Sequence, residues 1–460
     1  MKWRYLSLLV VLLVTILFSA YAQDDVTPTP RPIFMTNTPQ PRFVAQYQVD
    51  YDIYITPYLN WSPDGSYLLI GGYSNEYQGN RFQLLEATTG TYLRDLEARP
   101  IWFDDEHYWL FVREETHRRL GTLYFVRAGT GEILYTLENV HGNLTLNPER
   151  TQFSMGYILG GRIYDTQTGA LLRQTDSQVR WSPDGAYTVN EAGDTIYVAS
   201  AETGNFLYQL AGHQLSPSNT WSPDSARLIV EPLGEWGYTL NPIRIWTFPD
   251  TLSEVIYNTN FGQIWSPDST RIATVMDALK LRIWDATTGE LLETFNDHKY
   301  PTLVTEWTQD GRYILLNYGD YRYFGHDYVV YDVERGEMVL DTFQDLGSQY
   351  RINGSSLEIL ETYPGYRQYD LNTGEIIEER RFGNVGFIRF HANWQWGATI
   401  FFNGSIPDSL IGVYDISQNR LFQTIETPFD EVFNLVWHPT QNILAVTGLT
   451  NEVIVYRLEE

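Results

Sequence analysis

The residue types that most often perform chemistry in proteins are sparse in this sequence and do not cluster. None of the eight histidines stands in a His-Glu-x-x-His pair, and no Gly-x-Ser-x-Gly nucleophile motif occurs. The absence of cysteine removes disulfides, thiolate zinc sites and cysteine nucleophiles. Acidic clusters such as Asp104-Asp105-Glu106 lack the alternating ligands and central glycine of a calcium loop. The sequence therefore predicts no catalytic residue, no metal site and no cofactor, and it indicates a protein that is not an enzyme.

The aspartate that recurs most regularly belongs to a repeated turn. Clear copies of the sequence Trp-Ser-Pro-Asp begin at Trp61, Trp181, Trp221 and Trp265, and weaker copies begin at Trp307 and Trp437. More degenerate copies begin at Trp102, Leu146, Arg351 and Phe390, so that ten copies follow one another at intervals of 35 to 47 residues. Proline fixes one torsion of such a turn, and aspartate hydrogen-bonds its own backbone. We therefore interpret the aspartate as a turn former and the period as that of four-stranded propeller blades.

A second motif recurs at the same interval as the first. In the repeat 262–298, four short runs with strand composition are separated by turn residues: Ile264-Trp265, Arg271 to Val275, Leu281 to Asp285, and Leu291 to Phe295. The third of these runs ends in Ile283-Trp284-Asp285 and is followed by Thr288-Gly289-Glu290. Related pairs recur along the chain, for example Tyr164-Asp165 before Thr168-Gly169. The two motifs together predict four strands in each repeat.

The pairing of these motifs resembles WD40 repeats, and in particular the bacterial WD40-like propellers that include the periplasmic TolB-type propeller. The resemblance covers residues 43–460, which is nearly the whole chain after its N-terminal segments. It implies an all-β fold, a β-propeller of about ten four-stranded blades. It also implies a scaffold for protein contacts, because such propellers mostly have that role and only a minority carry enzyme sites.

The ends of the repeat array predict how the ring closes. The last repeat has strands at Ile443 to Val446 and Val453 to Leu458, and the chain ends before a fourth strand. Conversely, Phe43 to Val49 alternates like a strand and precedes the first motif. We expect this N-terminal strand to complete the last blade, because an open ring would leave unpaired strand edges. One ring of ten blades is the favoured prediction, and two five-bladed rings are the alternative.

Two segments precede the repeats. Residues 1–22 have a basic start at Lys2 and Arg4, a short apolar run from Leu6 to Phe18 and small residues before Ala22, which predicts a secretory signal peptide. Residues 23–42 are rich in Pro and Thr and are typical of a semi-rigid linker. We expect a secreted, periplasmic or cell-surface protein. Contact with a membrane is expected only through the first segment, if that segment stays uncleaved.

The charge of the chain argues against one class of partner. Lys and Arg number 31 and Asp and Glu number 57, which gives a formal net charge of −26. Such a protein is repelled by phosphate backbones, so we expect no binding to nucleic acid.

The sequence favours a protein or peptide partner without identifying it. Aromatic residues outside the repeat pattern are the candidate interaction surface: Trp109, Trp236, Tyr321, Tyr323, Trp394 and Trp396. The loops at 231–242, 317–327 and 402–411 are the candidate contact points, because recognition residues concentrate on loops held by a rigid scaffold. Two alternatives stay open. One is an enzyme that uses the central channel, such as a lyase, a hydrolase or a cofactor-dependent oxidoreductase, and the other is a glycan-binding propeller.

Overall fold

Short runs rich in β-branched and aromatic residues, many of them bounded by Gly, Pro, Asp or Ser, form the strands of the computed structural model. Among the residues that it describes there is no helix, and hence none that could cross a bilayer. The described residues are 42–48, 58–74, 79–113, 120–157, 160–216, 220–234, 241–254, 256–258, 263–276, 280–295, 303–320, 325–342, 347–361, 365–381, 388–393, 395–400, 410–418, 420–448 and 452–458. The predicted signal peptide and nearly all of the predicted linker lie outside these ranges and stay predictions.

The strands form antiparallel sheets whose order mostly follows the chain. The main exception is the first strand, which lies in the last sheet. The first strand, β1 (Arg42–Gln48), belongs to the last blade. Blades 1 to 3 consist of β2 (Tyr58–Trp61), β3 (Tyr67–Ser74), β4 (Gly79–Glu86) and β5 (Tyr92–Leu96); β6 (Ile101–Trp102), β7 (His107–Arg113), β8 (Gly121–Arg127) and β9 (Ile133–Val140); and β10 (Asn143–Leu146), β11 (Gln152–Tyr157), β12 (Gly160–Asp165) and β13 (Leu171–Thr175).

Blade 5 departs from the regular pattern because its outer strand is split into two pieces, both paired with the third strand. Blades 4 to 6 consist of β14 (Arg180–Trp181), β15 (Tyr187–Ala192), β16 (Thr195–Ser200) and β17 (Phe206–Ala211); β18 (His213–Leu215), β19 (Arg227–Pro232), β20 (Asn241–Thr247), β21 (Thr251–Leu252) and β22 (Ile256–Asn258); and β23 (Gln263–Trp265), β24 (Arg271–Met276), β25 (Lys280–Asp285) and β26 (Leu291–Phe295). The four strands of blade 6 agree with those predicted for the repeat 262–298.

Blades 7 and 8 share one sheet, because a single pairing joins β29 of one to β31 of the other. Blades 7 and 8 consist of β27 (Leu303–Trp307), β28 (Tyr313–Asp320), β29 (Gly325–Asp332) and β30 (Glu337–Asp341); and β31 (Gly347–Asn353), β32 (Ser356–Glu361), β33 (Gly365–Asp370) and β34 (Ile376–Arg381). Blade 9 consists of β35 (Ile388–Phe390), β36 (Trp396–Ile400), β37 (Leu410–Asp415) and β38 (Arg420–Glu426), and blade 10 contains β39 (Val432–Trp437), β40 (Ile443–Gly448) and β41 (Glu452–Arg457).

The N-terminal strand completes blade 10, as predicted. Strand β1 pairs with β41 from Arg42 opposite Arg457 to Gln48 opposite Glu452. Tyr47 continues the contact into blade 1, where its hydroxyl donates to Gln83 Oε1 at 3.0 Å. The last blade is therefore built from both ends of the chain.

The ten blades form one ring, so the alternative of two five-bladed rings is excluded. Within the described residues, apolar clusters join neighbouring blades at eight of the ten junctions, including the one between blade 10 and blade 1. At the two other junctions an arginine of the outer strand reaches the next blade. Arg173 Nη2 donates to the carbonyl of Ala201 at 2.8 Å, and Arg380 donates to the carbonyl of Ile416.

Strand pairing corrects one of the predicted motif positions. In nine blades the motif residue pairs with the second residue of the second strand, for example Trp61 with Leu68. The equivalent pair in blade 8 is Ile352 with Leu357, so the prediction of Arg351 is wrong by one residue. The reason is the turn: Asn353 pairs with Ser356 in a hairpin shorter than the Ser-Pro-Asp turn, and the motif is displaced with it.

Candidate functional site

The repeated aspartates are structural. In blade 1 the Ser62 hydroxyl and the Ser66 backbone N–H both donate to Asp64 Oδ1, at 2.7 and 2.9 Å. Asp184 and Asp268 make the same contacts in blades 4 and 6. Burial alone would raise the pKa of Asp64, but these hydrogen bonds outweigh it and hold the pKa below its usual value. The predicted role as a turn former is confirmed, and it leaves these carboxylates committed to their own turns.

His438 takes part in the same kind of turn in blade 10. It is buried, its ring lies 5.0 Å from that of Trp61, and its Nδ1 accepts the backbone N–H groups of Thr440 and Gln441 at 3.1 Å each. An acceptor Nδ1 requires the neutral imidazole with its proton on Nε2. Burial lowers the pKa of His438, although the charge of Asp64 opposes the shift. This histidine therefore joins blade 10 to blade 1 as a neutral group.

We expect the stability of the ring to fall in two stages on acidification. A lowered histidine pKa in the folded state means that the unfolded chain binds the proton more tightly, so stability is lost as the pH falls below about 6.5. The turn aspartates, whose pKa values are also lowered, add a second loss below about pH 4. Urea unfolding between pH 3 and 8 measures both stages. In His438→Gln the first stage should disappear while the second stays, and an unchanged first stage would contradict this role of His438.

Three of the motif tryptophans fasten their blade to the preceding one. Trp61 Nε1 donates to the carbonyl of Val436 at 3.3 Å, and Trp437 Nε1 donates to that of Arg389 at 2.7 Å. Trp221 Nε1 makes the equivalent bond to Arg180, at 3.3 Å. The acceptor is in each case the residue before the motif position of the preceding blade. First strands of neighbouring blades also contact one another, which places these bonds at the inner side of the ring.

Polar groups at this inner side are used to tie blades together. The Arg180 guanidinium donates to the Ser216 carbonyl and the Thr220 hydroxyl of the next blade, and burial lowers its pKa. Gln263 Nε2 donates to Ser216 Oγ at 2.6 Å, and this bond extends the network to blade 6. In blades 7 and 8 the Tyr350 hydroxyl donates to Glu306 Oε2 at 3.0 Å. Within the described residues no group of three or more His, Asp or Glu could hold a metal.

The six aromatic residues proposed as an interaction surface are not brought together by the described structure. Trp109 is fully buried in the core between blades 2 and 3, and its Nε1 donates to the Tyr135 hydroxyl at 3.1 Å. Trp396 is 4% exposed and packs on Phe422. Both are core side chains, because they lie on second strands that are covered on both faces. The other four lie outside the described residues, and their role stays a prediction: Trp236, Tyr321, Tyr323 and Trp394.

Strand topology places the strand ends that flank the three candidate loops at one end of the ring. Each of them joins a second strand to a third: β19 to β20, β28 to β29, and β36 to β37. The Ser-Pro-Asp turns join first strands to second strands, so they lie at the opposite end. We call these two ends the hairpin end and the turn end. The loops themselves lie largely outside the described residues.

Most of the large exposed apolar side chains of the described residues lie on the outer strands, where the sequence motifs indicate no site. In nine blades a bulge or register shift interrupts the pairing of the outer strand with its neighbour. A bulge sets two residues against one, so alternation of the side chains is lost at that point. Both residues are apolar or aromatic in all nine blades. We name them the rim pairs: Phe43-Val44, Tyr92-Leu93, Ile133-Leu134, Leu171-Leu172, Phe206-Leu207, Leu291-Leu292, Met338-Val339, Ile376-Ile377 and Leu421-Phe422.

The rim pairs account for most of the exposed apolar surface. Of the fifteen large exposed apolar side chains among the described residues, eleven belong to rim pairs. In blades 3, 4, 6 and 8 both members of the pair are between 43 and 67% exposed. A sequence signal for them existed, because two consecutive apolar residues follow a Thr-Gly turn in an otherwise alternating strand.

These observations define the class of the protein as a ten-bladed β-propeller. No protein family matches the sequence, and no curated protein matches it either. Among solved structures the chain is similar to a eukaryotic initiation factor (14% identity, 87% of this chain and 93% of the other, TM-score 0.44). It is also similar to the Cps50 (Swd1) β-propeller domain of Myceliophteria thermophila (14%, 69% and 95%, 0.30) and to the C-terminal WD40 domain of Sif2 (13%, 92% and 97%, 0.33). The propeller assignment itself rests on the sheets of this chain.

Proposed function

We propose that this protein is an exported, non-catalytic scaffold that binds a protein partner through the rim pairs. The observation that carries the proposal is the repetition of apolar pairs on the outer strands of a closed ring, with both residues exposed in blades 3, 4, 6 and 8. Large exposed apolar patches on a protein surface mark contact surfaces. The closed ring supplies a rigid support for it, because every blade is fastened to both neighbours.

The chemistry of the rim favours a protein as the occupant. Each rim pair lies on an outer strand whose other edge has no paired strand among the described residues. An extended segment of a partner could add to such an edge through main-chain hydrogen bonds, with its apolar side chains against the pair. The net charge of −26 favours partners with basic residues around that apolar segment and disfavours nucleic acid.

Export is proposed from the sequence of residues 1–22. A basic start, a short apolar run and a small-residue ending are what signal peptidase substrates require. The secreted, periplasmic or cell-surface location places the rim where partners of the cell envelope or the surroundings can reach it.

Photo-crosslinking tests the scaffold role directly. A benzoylphenylalanine at Phe206 or Ile377, which are 67 and 57% exposed, should give protein adducts in the producing cells. The same probe at the exposed Glu202 of the turn end is the matched control and should give few. Replacing both residues of the rim pairs of blades 3, 4, 6 and 8 by Ser should lower adduct yield at a remaining rim position at least tenfold, without changing the fold.

Two results would contradict this assignment. Adducts that form only from the hairpin end would move the contact surface to the loops at 231–242, 317–327 and 402–411. Adducts consisting of this chain alone, together with a dimer in analytical ultracentrifugation that the Ser variant abolishes, would assign the rim to self-association.

A further inference from the structure

A cleft between blades 3 and 4 has the composition of a binding site for a small ligand. Its volume is about 390 Å³, within the range of about 300–1,000 Å³ typical of small-molecule sites. Blade 3 contributes its outer strand and the residue after it, and blade 4 contributes the sheet face opposite. The lining residues are Arg173, Gln174, Thr175, Asp176, Thr188, Asn190, Ala199, Gly204 and Phe206. We call this the interblade cleft.

The cleft exists because blade 4 breaks the packing pattern of the ring at three positions. The first two positions are Thr188 and Asn190 on the second strand. The third is Ala199 on the third strand, which pairs with Thr188. Seven of the other blades have Leu, Ile, Phe or Tyr at the position of Thr188 and Leu, Ile, Val or Met at the position of Asn190. Apolar residues at these positions fill the junction with the preceding blade.

The third position matters most for the volume. Where blade 4 has Ala199, every other blade has a larger side chain, and five of them have Tyr. The equivalent residues are Leu85, Val126, Tyr164, Trp246, Trp284, Tyr331, Tyr369, Tyr414 and Tyr456. A methyl group in place of a large ring leaves the space that the cleft occupies.

Two buried polar side chains at the cleft have unused hydrogen-bonding capacity. Asn190 is 5% exposed and Thr188 is 2% exposed, and neither side chain has a hydrogen-bond partner among the described residues. Elsewhere in the ring, where a polar residue takes the position of Asn190, its hydroxyl is bonded. Thr274 accepts from Trp284 Nε1 at 2.9 Å, and Thr399 donates to the Ile400 carbonyl at 3.2 Å. Neither side chain is among the buried polar atoms that lack a partner in the described residues, so both are open to the cleft, where a ligand hydroxyl can take the place of water on them.

We propose that the interblade cleft binds a neutral saccharide of one or two rings. Hydroxyl groups both donate and accept, and the cleft offers both functions at close range through Asn190, Thr188, Gln174 and Asp176. Phe206 supplies an exposed aromatic face at the mouth, and the apolar C–H face of a sugar ring packs on such a surface.

Other ligand classes fit the cleft less well. Arg173 and Asp176 are its two charged lining residues and oppose each other in sign. The Arg173 guanidinium already donates to the carbonyls of Ser200 and Ala201, at 3.3 and 2.8 Å, so little of it is left for an anion. A single carboxylate is a poor cation site, and Ala199 and Phe206 are too little apolar wall for a hydrophobic ligand.

Ligand-observed NMR with the full chain tests the proposal against glucose, galactose, mannose, N-acetylglucosamine and maltose, with inorganic phosphate as the anionic probe. At least one saccharide should bind, and phosphate should not. Ala199→Tyr, which restores the residue of five other blades, should weaken binding at least tenfold by filling the space. Asn190→Val should do the same by removing the amide. Thr399→Val, the position of Asn190 in blade 9, is the matched control and should leave binding unchanged.

Phe206→Ala keeps the test decisive if a core variant fails to fold, since this side chain is exposed and its loss should still weaken binding at least tenfold. The proposal is overturned if none of the five saccharides binds, if phosphate binds in their place, or if Ala199→Tyr and Phe206→Ala bind as well as the natural protein. The crosslinking probe at Ile377 of blade 8 measures the scaffold role outside the cleft, so the two can fail independently.

Discussion

Removing residues 1–48 is expected to unfold the ring, whereas removing residues 1–41 is expected to leave it intact. The longer deletion takes away β1, which supplies the outer strand of blade 10 and buries Ala45 against the core that blade 10 shares with blade 1. It also removes the contact from Tyr47 to Gln83 of blade 1. The lost burial and strand pairing amount to roughly 5 kcal/mol or more, which is comparable with the whole stability of a typical domain. Solubility and urea unfolding of the two truncated chains measure the difference.

A cysteine pair provides the control for this prediction. The chain contains no cysteine, so Arg42→Cys with Arg457→Cys gives a protein with one possible intramolecular disulfide. The two residues are direct partners across β1 and β41, at a separation that suits a disulfide. Oxidation should cross-link the full chain nearly completely and raise its unfolding temperature. Failure to cross-link in a folded, monomeric protein would contradict the closure.

The closure shows what the sequence allowed to be predicted and why. Phe43 to Val49 had the alternation of a strand and no blade of its own, and the last repeat lacked a strand, so the two irregularities explained each other. The turns were predictable for a similar reason, because Ser, Pro, Asp and Gly act locally through torsion angles and short hydrogen bonds. Information of this kind is contained in a few consecutive residues.

The features that escaped prediction depend on strand register. The exposed members of the rim pairs face solvent because a bulge interrupts the ladder, and the sequence of Leu171-Leu172 alone fits a buried strand equally well. The shift of the blade 8 motif from Arg351 to Ile352 follows from one shortened turn. Trp109 and Trp396 lie outside the motif but are in the core, because a second strand covered on both faces needs large side chains at more positions than the motif includes.

The interblade cleft was hidden for the same reason. Thr188, Asn190 and Ala199 are ordinary strand residues when each is considered singly. Their meaning becomes apparent only when pairing aligns the blades and shows that the other nine have a larger side chain at the place of Ala199 and an apolar or hydrogen-bonded one at the place of Asn190. A functional site formed where one blade departs from the repeat can therefore be recognised only when the strand register that aligns the blades is known.

A single methyl group at Gly65 is expected to destabilise the ring far more than the same change at the equivalent Gly185. Both glycines occupy the last position of a Trp-Ser-Pro-Asp-Gly turn with positive φ, 81° and 73°, so each Ala substitution costs roughly 1–2 kcal/mol of backbone strain. At Gly65 the new Cβ would lie 1.9 Å from His438 Nε2, while at Gly185 the nearest atom is Pro148 Cδ at 3.6 Å. Steric overlap in a packed interior adds roughly 1–3 kcal/mol. Urea unfolding of Gly65→Ala and Gly185→Ala measures the two costs.

A double-mutant cycle with His438→Ala separates strain from collision. Removing the imidazole should relieve the overlap. In the His438→Ala background, Gly65→Ala should therefore lower the free energy of unfolding only by as much as Gly185→Ala lowers it in the natural protein. The coupling free energy between positions 65 and 438 should be roughly 1–3 kcal/mol. Gly185→Ala with His438→Ala should show no coupling, because blades 4 and 10 share no contact at these turns. Equal costs for the two glycine substitutions would mean that His438 does not pack on the first turn. The junction between blade 10 and blade 1, where both ends of the chain meet, would then lack the contact that distinguishes it from the other turns.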